Sequence, residues 1–194
     1  MPPKIKITEE EIVNMAVRMV REKGIESLNA RDLAKELGCS VHPIFRVYHS
    51  MEGLKKAVYD KAQHIYNERM LSTGEHTEDG FLNIGLNYID FAKSEKNLFK
   101  LLFMSDAFRG QSIMNIAGNT EGDEEIIEML CQRTGLCVKA ANELYSGIWI
   151  TTHGIASLFA TNNCRFSDEE NKRLLNNSFL GLLLKLKNEG EYNE

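Results

Sequence analysis

The sequence lacks the features that mark disulfide-bonded, zinc-binding and membrane proteins. Its four cysteines, Cys39, Cys131, Cys137 and Cys164, follow no ligand-like or disulfide-like spacing, so neither a zinc site nor a disulfide framework is predicted. No run of about 18 apolar residues is present, and the first residues lack the apolar core of a signal peptide. We expect a reduced, cytoplasmic protein outside the membrane, with no metal and no cofactor.

The sequence also lacks an excess of basic charge. It has 23 basic and 28 acidic residues, which gives a net charge of −5. The two signs are unevenly distributed, because residues 1–70 hold 12 basic and 10 acidic residues, whereas residues 71–194 hold 11 and 18. We call the mildly basic N-terminal part the head and the acidic remainder the body. This charge distribution suits a DNA-binding domain attached to a regulatory domain.

No segment is a convincing strand, and no internal repeat or low-complexity stretch occurs. Apolar residues recur with helical periodicity through most of the chain, which predicts an all-α fold of about nine helices. The predicted helices are Glu9–Lys23, Ala30–Leu37, Val41–Tyr48, Met51–Leu71, Phe81–Lys93, Glu95–Met104, Asp123–Arg133, Val138–Thr161 and Asp168–Glu189.

Residues 29–54 are typical of a helix-turn-helix, in which two short helices meet at a tight turn. Asn29 can cap the first helix, and Gly38 lies just past its end. Ser40 is the predicted cap of the second helix, whose buried side is assigned to Ile44, Phe45 and Tyr48. A helix-turn-helix of this size presents its second helix to the DNA major groove.

The outer face of that second helix is assigned to Val41, His42 and Arg46. Arginine can pair with guanine, valine can contact a thymine methyl group, and histidine can donate to a base or a phosphate. The remaining predicted DNA contacts are Asn29, Arg31, Ser40, Tyr48, His49 and Lys55. Among them, Arg31, Tyr48, His49 and Lys55 are assigned to phosphates. The alternative interpretation is a solvated helix face in a three-helix bundle that binds nothing.

The polar stretch 72–80 is the predicted domain boundary. We therefore expect a helix-turn-helix domain over residues 1–50, a linking helix over 51–73 and a second domain over 74–194. Residues 105–122, rich in Gly, Ser and Asn, are predicted to form a loop with a helical turn near Ile113.

The head resembles the TetR family of bacterial transcriptional regulators over residues 8–60, without a gap. The family pattern is matched at the end of the first helix, in the helix-turn-helix and at the start of the fourth helix. The matching residues are Glu22-Lys23-Gly24, Ala34, Gly38-Cys39-Ser40, Ile44-Phe45, Val47-Tyr48, Glu52 and Leu54. Phe45, Val47 and Met51 depart from the pattern, where Tyr, His or Tyr, and Lys are usual, and these departures remove predicted phosphate contacts.

The body resembles the C-terminal domain type of that family named for a Trp-His-Gly pattern, here Trp149, His153 and Gly154. The resemblance implies a homodimer that binds a small effector. Together the two resemblances imply a sequence-specific DNA-binding regulator, most simply a repressor, which associates with the nucleoid when bound to palindromic operator DNA.

The predicted effector site contains Trp149 and His153, which lie one helical turn apart, together with Phe103, Met104 and Met129. His153 would be a polar group in a mainly apolar pocket. The alternative is a core histidine satisfied by a hydrogen bond, among aromatic and methionine residues that simply form the core.

The predicted dimer contact combines a narrow stripe on one helix with a broad leucine face on the last helix. Its residues are Gly154, Leu158, Leu175, Phe179, Leu182 and Leu186. The alternative is that both faces are buried inside a monomer.

Two other functions remain open from the sequence. The first is a protein whose head no longer binds DNA tightly and acts through a protein partner. The departures at Phe45, Val47 and Met51 favour this alternative. An α-helical enzyme is the other alternative, but it needs convergent titratable groups, and the histidines of the body are only the isolated His76 and His153. We therefore expect a chain that is not an enzyme.

Overall fold

The computed structural model describes residues 7–71, 80–105, 123–162 and 164–189. These residues form nine α-helices, one short 3-10 helix and no strand, which confirms the all-α prediction. The predicted boundary at 72–80 and the predicted loop at 105–122 lie almost wholly outside the described residues. The helices are α1 (Glu9–Lys23), α2 (Ala30–Glu36), α3 (His42–Tyr48), α4 (Met51–Leu71), α5 (Gly80–Ser94), α6 (Lys96–Phe103), α7 (Asp123–Thr134), α8 (Val138–Thr161) and α9 (Asp168–Asn188).

Two capping boxes fix the starts of α1 and α9, where Thr8 with Glu11 and Ser167 with Glu170 have the spacing that predicts this arrangement from the sequence. The Glu11 amide donates to Thr8 Oγ1 at 3.2 Å, and the Thr8 amide donates to Glu11 Oε2 at 2.8 Å. Ser167 and Glu170 repeat the arrangement at 3.1 and 2.7 Å. Each box satisfies N–H groups that have no partner inside the helix.

The first compact unit, the head, comprises residues 1–69 and 95–105. It therefore includes α6, which the predicted division at residue 74 leaves in the second domain. Arg21 Nε lies 3.0 Å from Glu95 Oε2, and Asn97 Nδ2 donates to the Arg21 carbonyl at 2.8 Å. These contacts join residues 74 and 76 positions apart, a distance over which local sequence patterns give no signal.

The second compact unit, the body, comprises residues 70–94 and 106–194. In it, α5, α7 and α9 pack on the long helix α8. The Tyr145 hydroxyl donates to Asp123 Oδ1 at 2.5 Å and so joins α8 to the start of α7. One apolar cluster of the body contains Ile127, Leu130, Leu136, Ala140, Ala141, Leu144, Tyr145, Ile148 and Leu186.

Candidate nucleic-acid interface and candidate effector site

Helix α3 buries one side in the head and exposes the other. Ile44 is fully buried, as the sequence predicts, but Phe45 is 37% exposed, so its predicted place on the buried side is wrong. Val41, predicted on the outer face, is half-buried instead. At 100° per residue, Val41 lies nearer to the buried Ile44 around the helix than Phe45 does. This accounts for the partial burial of Val41 and the exposure of Phe45. The exposed side of α3 therefore carries His42, Phe45 and Arg46.

Tyr48 is buried, and its hydroxyl donates to the Glu9 carbonyl of α1 at 3.1 Å. Burial, with a smaller effect from the Glu9 carboxylate, raises the pKa of Tyr48, so the phenol keeps the proton that it donates. That proton already has an acceptor. The predicted phosphate contact of Tyr48 is therefore replaced by a packing role, which fixes α3 against α1.

The junction between α3 and α4 is a tight turn. His49 has a left-handed backbone with φ of 63°, and the Ser50 amide donates to the Tyr48 carbonyl at 2.7 Å. Ser50 Oγ caps α4 by accepting from the Gly53 amide at 3.0 Å. A Cβ atom at Gly53 would collide with the Tyr48 carbonyl oxygen. Glycine in the first turn of α4 is thus required by the close approach of two backbones.

The predicted cap at Ser40 is wrong. Helix α3 begins at His42, its N-cap position is Val41, and no side chain caps it. Pro43 occupies the second helical position, where its missing N–H costs no helical hydrogen bond. Ser40 is exposed in the turn that precedes α3.

Asn29 caps α2, as predicted, by accepting from the Asp32 amide at 2.9 Å. Its Nδ2 donates to Asp32 Oδ2 at 2.7 Å, so the side-chain amide is already engaged on both sides. Among the residues predicted to contact DNA, Arg31, Arg46 and Lys55 have exposed, positively charged side chains that can contact its phosphates. Within the described part of the chain, none of these three forms an ion pair.

Trp149 and His153 of α8 stack face to face, with ring centroids 4.9 Å apart and an angle of 5° between the rings. A hydrogen bond of 2.9 Å joins His153 Nδ1 to the hydroxyl of the buried Tyr88. Desolvation lowers the pKa of His153 below its usual value of 6.5, which favours the neutral ring. This geometry agrees with the core histidine that the sequence leaves open as an alternative.

Ser146 adds a polar atom to the same face of α8, one turn before Trp149. Its Oγ is buried and has no hydrogen-bond partner among the described residues. Neither Ser146 nor Tyr88 is among the site residues predicted from the sequence. The spacing of Ser146, Trp149 and His153 at i, i+3 and i+7 could have placed Ser146 on this face. Tyr88 is remote in sequence, and no local pattern indicates its contact with His153.

Of the five predicted effector residues, Trp149 and His153 of α8 contact each other directly. Phe103 packs in the head, with its ring 5.0 Å from that of Tyr66 and 5.2 Å from that of Phe99. Met104 is exposed, and Met129 is half-buried on α7. Phe103 itself is half-buried, and the rings of Tyr66 and Phe99 beside it belong to the head.

The predicted dimer residues divide into buried and exposed groups. Leu175 and Leu186 are buried inside the chain, so their assignment to a dimer contact is wrong. Phe179 packs on Phe81 of α5, with ring centroids 5.6 Å apart. Leu182 packs on the core cluster, and a Cβ atom at Gly147 would lie 2.5 Å from its Cδ2 atom. The leucine face of α9 is broad because the helix packs on both α5 and α8.

Other apolar residues of α8 and α9 remain exposed. Gly154 and Leu158 are exposed on α8, as a dimer contact would require, and Ile150 lies on the same stripe. On α9 the exposed apolar residues are Leu174, Leu180 and Leu184, the last of them 61% exposed.

Over the described residues, no group of three or more His, Cys, Asp or Glu is placed to hold a metal ion. No helix in those ranges is long and apolar enough to cross a membrane.

No family model and no curated protein matches the sequence. Two solved structures share its fold. One is a single-substitution variant of TetR from Acinetobacter baumannii in complex with minocycline, with a TM-score of 0.57 and 18% identity over 94% of this chain and 97% of that one. The other is a protein from Mesorhizobium loti assigned to the TetR-family transcriptional regulators, with a TM-score of 0.59 and 17% identity over 91% and 95%. The chain therefore has the fold of TetR-family regulators.

Proposed function

We propose that this chain, which has the TetR fold, is a sequence-specific DNA-binding transcriptional regulator. The observation that carries the proposal is the exposed side of α3, where His42, Phe45 and Arg46 face solvent while Ile44 and Tyr48 fix the helix in the head. A short helix held rigidly, with an arginine and an aromatic ring outward, suits contact with base edges in the major groove.

Each exposed side chain of α3 has a defined role in this proposal. Arg46 pairs with a guanine through two hydrogen bonds, and Phe45 contacts a thymine methyl group. His42 donates to a base or a phosphate. Arg31, His49 and Lys55 contact phosphates, and these contacts position α3 without selecting a sequence.

We further propose a homodimer, because α8 and α9 leave large apolar side chains exposed. Ile150 and Leu158 lie along one exposed stripe of α8, and Leu180 and Leu184 lie on the exposed side of α9. A symmetric contact between two copies would bury these residues and pair two heads. Two heads one helical turn of DNA apart, about 34 Å, require a palindromic operator.

The proposed effector site is the face of α8 that carries Ser146, Trp149 and His153. Its unpartnered Ser146 Oγ and its aromatic surface suit a mainly apolar small molecule that carries one or two hydrogen-bonding groups. The fold neighbour in complex with minocycline gives a precedent for a small molecule in this fold. An effector that binds the DNA-incompetent state more tightly would release the operator, which makes the chain a repressor.

A head that acts through a protein partner is the second candidate, and the exposure of Phe45 favours it. An exposed aromatic ring on a short helix is also suited to a protein surface. Selection of bound sequences from random DNA by the full chain distinguishes the two candidates. We expect enrichment of a palindrome, in which Arg46→Ala relaxes the preference at one base position of each half-site. Arg165→Ala, a change at an exposed arginine of the body, should leave the enriched sequence unchanged. Failure of the unmodified chain to enrich any sequence would contradict DNA recognition.

A further inference from the structure

A surface cleft of about 340 Å³ lies in the body between α5 and the first turns of α9. Its volume is at the small end of the range found for ligand sites, about 300–1,000 Å³. Leu86 and Ile89 supply apolar surface from α5, and the rest of the lining is polar or charged. A cleft with these two kinds of surface suits a small ligand that has one apolar end and one polar end.

Asn171 is a buried polar residue of the cleft wall that ordinary packing does not explain. The residue is 1% exposed, and its Oδ1 accepts no hydrogen bond from any residue that the structure describes. A side-chain amide can both accept and donate hydrogen bonds, and a buried polar group without a partner is rare in folded proteins. A ligand that carries a donor and an acceptor side by side would satisfy this amide whichever way its plane is turned.

The charged groups of the cleft decide which ligand is preferred. Lys93 Nζ already lies 2.6 Å from Asp168 Oδ1, and Asp90 takes part in an interaction of its own. Glu169 and Lys172 are exposed, and neither forms an ion pair within the described ranges of the chain. They contribute one carboxylate and one ammonium group, whose charges sum to zero. The cleft therefore favours a ligand with one charge of each sign over a simple cation or a simple anion.

The two free charges have a fixed order along α9. Glu169 and Lys172 are three residues apart, which places their Cβ atoms on one face of the helix and roughly 5–6 Å from each other. An adjoining cleft of about 370 Å³ shares both residues and adds Arg173 beside Lys172. The partial positive charge of the helix N-terminus is offset by the three acidic residues of the first turn. A ligand with two charges would therefore place its cation toward Glu169 and its anion toward Lys172.

We infer that the cleft between α5 and α9 binds a free α-amino acid with an aliphatic side chain. Such a ligand carries its ammonium and carboxylate groups on neighbouring carbon atoms, so both can be contacted at once. The ammonium group donates to Glu169, and the carboxylate accepts from Lys172. The amide of Asn171 forms a hydrogen bond with one of these two groups.

The aliphatic side chain of the amino acid lies on Leu86 and Ile89, which gives the site its apolar selectivity. This site uses none of the residues of the proposed effector face or of α3. The inference therefore stands independently of the proposed function.

The test is an NMR titration of the full chain with L-leucine at pH 7, in the absence of DNA, followed through the amides of residues 168–172. We expect saturable shifts with a millimolar Kd. Isoamylamine lacks only the carboxylate of leucine, 4-methylpentanoate lacks only its ammonium group, and glycine lacks its side chain. Each of these three compounds should bind at least threefold more weakly than leucine. Absence of saturable leucine binding, or binding of any of the three within threefold of leucine, would overturn the inference.

Two charge variants locate the ends of the ligand. Glu169→Gln and Lys172→Gln should each raise the Kd of leucine at least threefold. Glu169→Gln should also remove the preference for leucine over 4-methylpentanoate, and Lys172→Gln the preference over isoamylamine. The matched controls are Glu124→Gln on α7 and Lys96→Gln on α6, both at exposed residues, and they should leave the Kd unchanged.

Asn171→Leu replaces the buried amide by an apolar group of similar shape and should also weaken leucine at least threefold. Unchanged affinity in this variant, if it folds, would contradict the inference. If it does not fold, the two charge variants decide, because Glu169 and Lys172 are exposed and their substitution leaves the core intact. Unchanged leucine affinity in either charge variant would equally contradict the inference.

Discussion

Neighbouring side chains of α3 take different roles in the head. Tyr48 joins α3 to α1 through its hydroxyl, whereas Phe45 leaves more than a third of its surface in solvent. Burial makes Tyr48 a determinant of stability, and exposure makes Phe45 available to a partner. The two roles can be separated by substitution.

Tyr48→Phe removes the hydrogen bond to the Glu9 carbonyl and keeps the ring in the core. We expect the free energy of unfolding to fall by about 0.5–1.5 kcal/mol, as for the loss of one typical intramolecular hydrogen bond, with little change in DNA affinity. Urea denaturation and a DNA-binding titration measure the two effects. Full stability with a large loss of DNA affinity would restore the phosphate contact predicted from the sequence.

Arg46→Ala removes the proposed guanine contact. We expect affinity for the preferred operator to fall by about 1–3 kcal/mol, with relaxed preference at one base position. Competition between operator variants in a binding assay measures both effects, and Arg165→Ala is the control for loss of one positive charge. An equal loss on specific and random DNA would show that Arg46 contacts only a phosphate.

His153 should make the emission of the only tryptophan depend on pH. Burial lowers the pKa of His153 below 6.5, so the stacked ring next to Trp149 is neutral near pH 7 and becomes charged only in more acidic solution. A protonated imidazole quenches a stacked indole, and we expect Trp149 emission to fall with a midpoint below 6.5. Fluorescence titration of the folded chain gives that midpoint.

The same lowered pKa has a consequence for stability. Between the folded-state pKa and 6.5, the unfolded chain binds more protons at His153 than the folded chain does. The contribution of neutral His153 to the free energy of unfolding is therefore fully present above about pH 6.5. It declines as the pH falls toward the pKa of His153 in the folded chain. His153→Gln should remove the fluorescence transition, and His64→Gln, at an exposed histidine of α4, should not. A midpoint above 6.5 would contradict the burial effect.

At the scale of elements, the junction between α3 and α4 sets the direction of the exposed side of α3. Gly53→Ala introduces a Cβ atom against the Tyr48 carbonyl oxygen, which is backbone and cannot move aside alone. We expect a loss of about 1–3 kcal/mol in the free energy of unfolding, as for an overpacked site, with weaker DNA binding. Thermal or urea denaturation measures the loss.

Gly181→Ala is the matched control for that substitution. A Cβ atom at Gly181 meets no atom within 4 Å, and the residue lies inside α9. Alanine should therefore stabilise the chain by about 0.5–1 kcal/mol through its higher helix propensity. If Gly53→Ala were equally stabilising, the close approach of the two backbones would be excluded.

Helix positions could be predicted from the sequence because their determinants are local. The capping residues Thr8, Asn29 and Ser167 all cap as expected, and the bounds of α4 and α8 agree with the predicted ranges. Each of these signals depends on residues within four positions of one another. The apolar repeat along the chain is likewise a local property.

The contents of the candidate sites could be predicted only in part. Seven residues make two turns, too few for periodicity to separate Phe45 from Val41 on α3. The leucines of α9 form one broad face in sequence, but only the packing of α5 and α8 shows that Leu175 is core and Leu184 is exposed. The contact between Tyr88 and His153 joins residues 65 positions apart, beyond the reach of any local pattern.

At the scale of the whole molecule, the proposed dimer depends on residues that the monomer leaves exposed. Leu184→Glu places a charge on the exposed side of α9, where the monomer tolerates it. We expect the dissociation constant of the dimer to rise about tenfold or more, which is equivalent to about 1.4 kcal/mol. The stability of the monomer should not change. Sedimentation at several concentrations measures the change.

Leu182→Glu serves as the contrast, because Leu182 packs on the core cluster close to Gly147. That substitution should destabilise the chain itself, since it places a carboxylate against apolar side chains. A chain that stays dimeric with Leu184→Glu would move the proposed contact to other residues.

The membership of α6 in the head has a consequence for recombination between related proteins. Residues 95–105 complete the head through Arg21, Glu95 and Asn97, although most of the head ends at residue 69. A chimaera that joins residues 1–71 of this chain to a foreign body would give α1 an α6 that has not evolved with it. Gene fusion at the linking helix would then leave Arg21 opposite an arbitrary side chain. The head of this chain is thus built from two separate segments, and successful exchanges should carry both segments together.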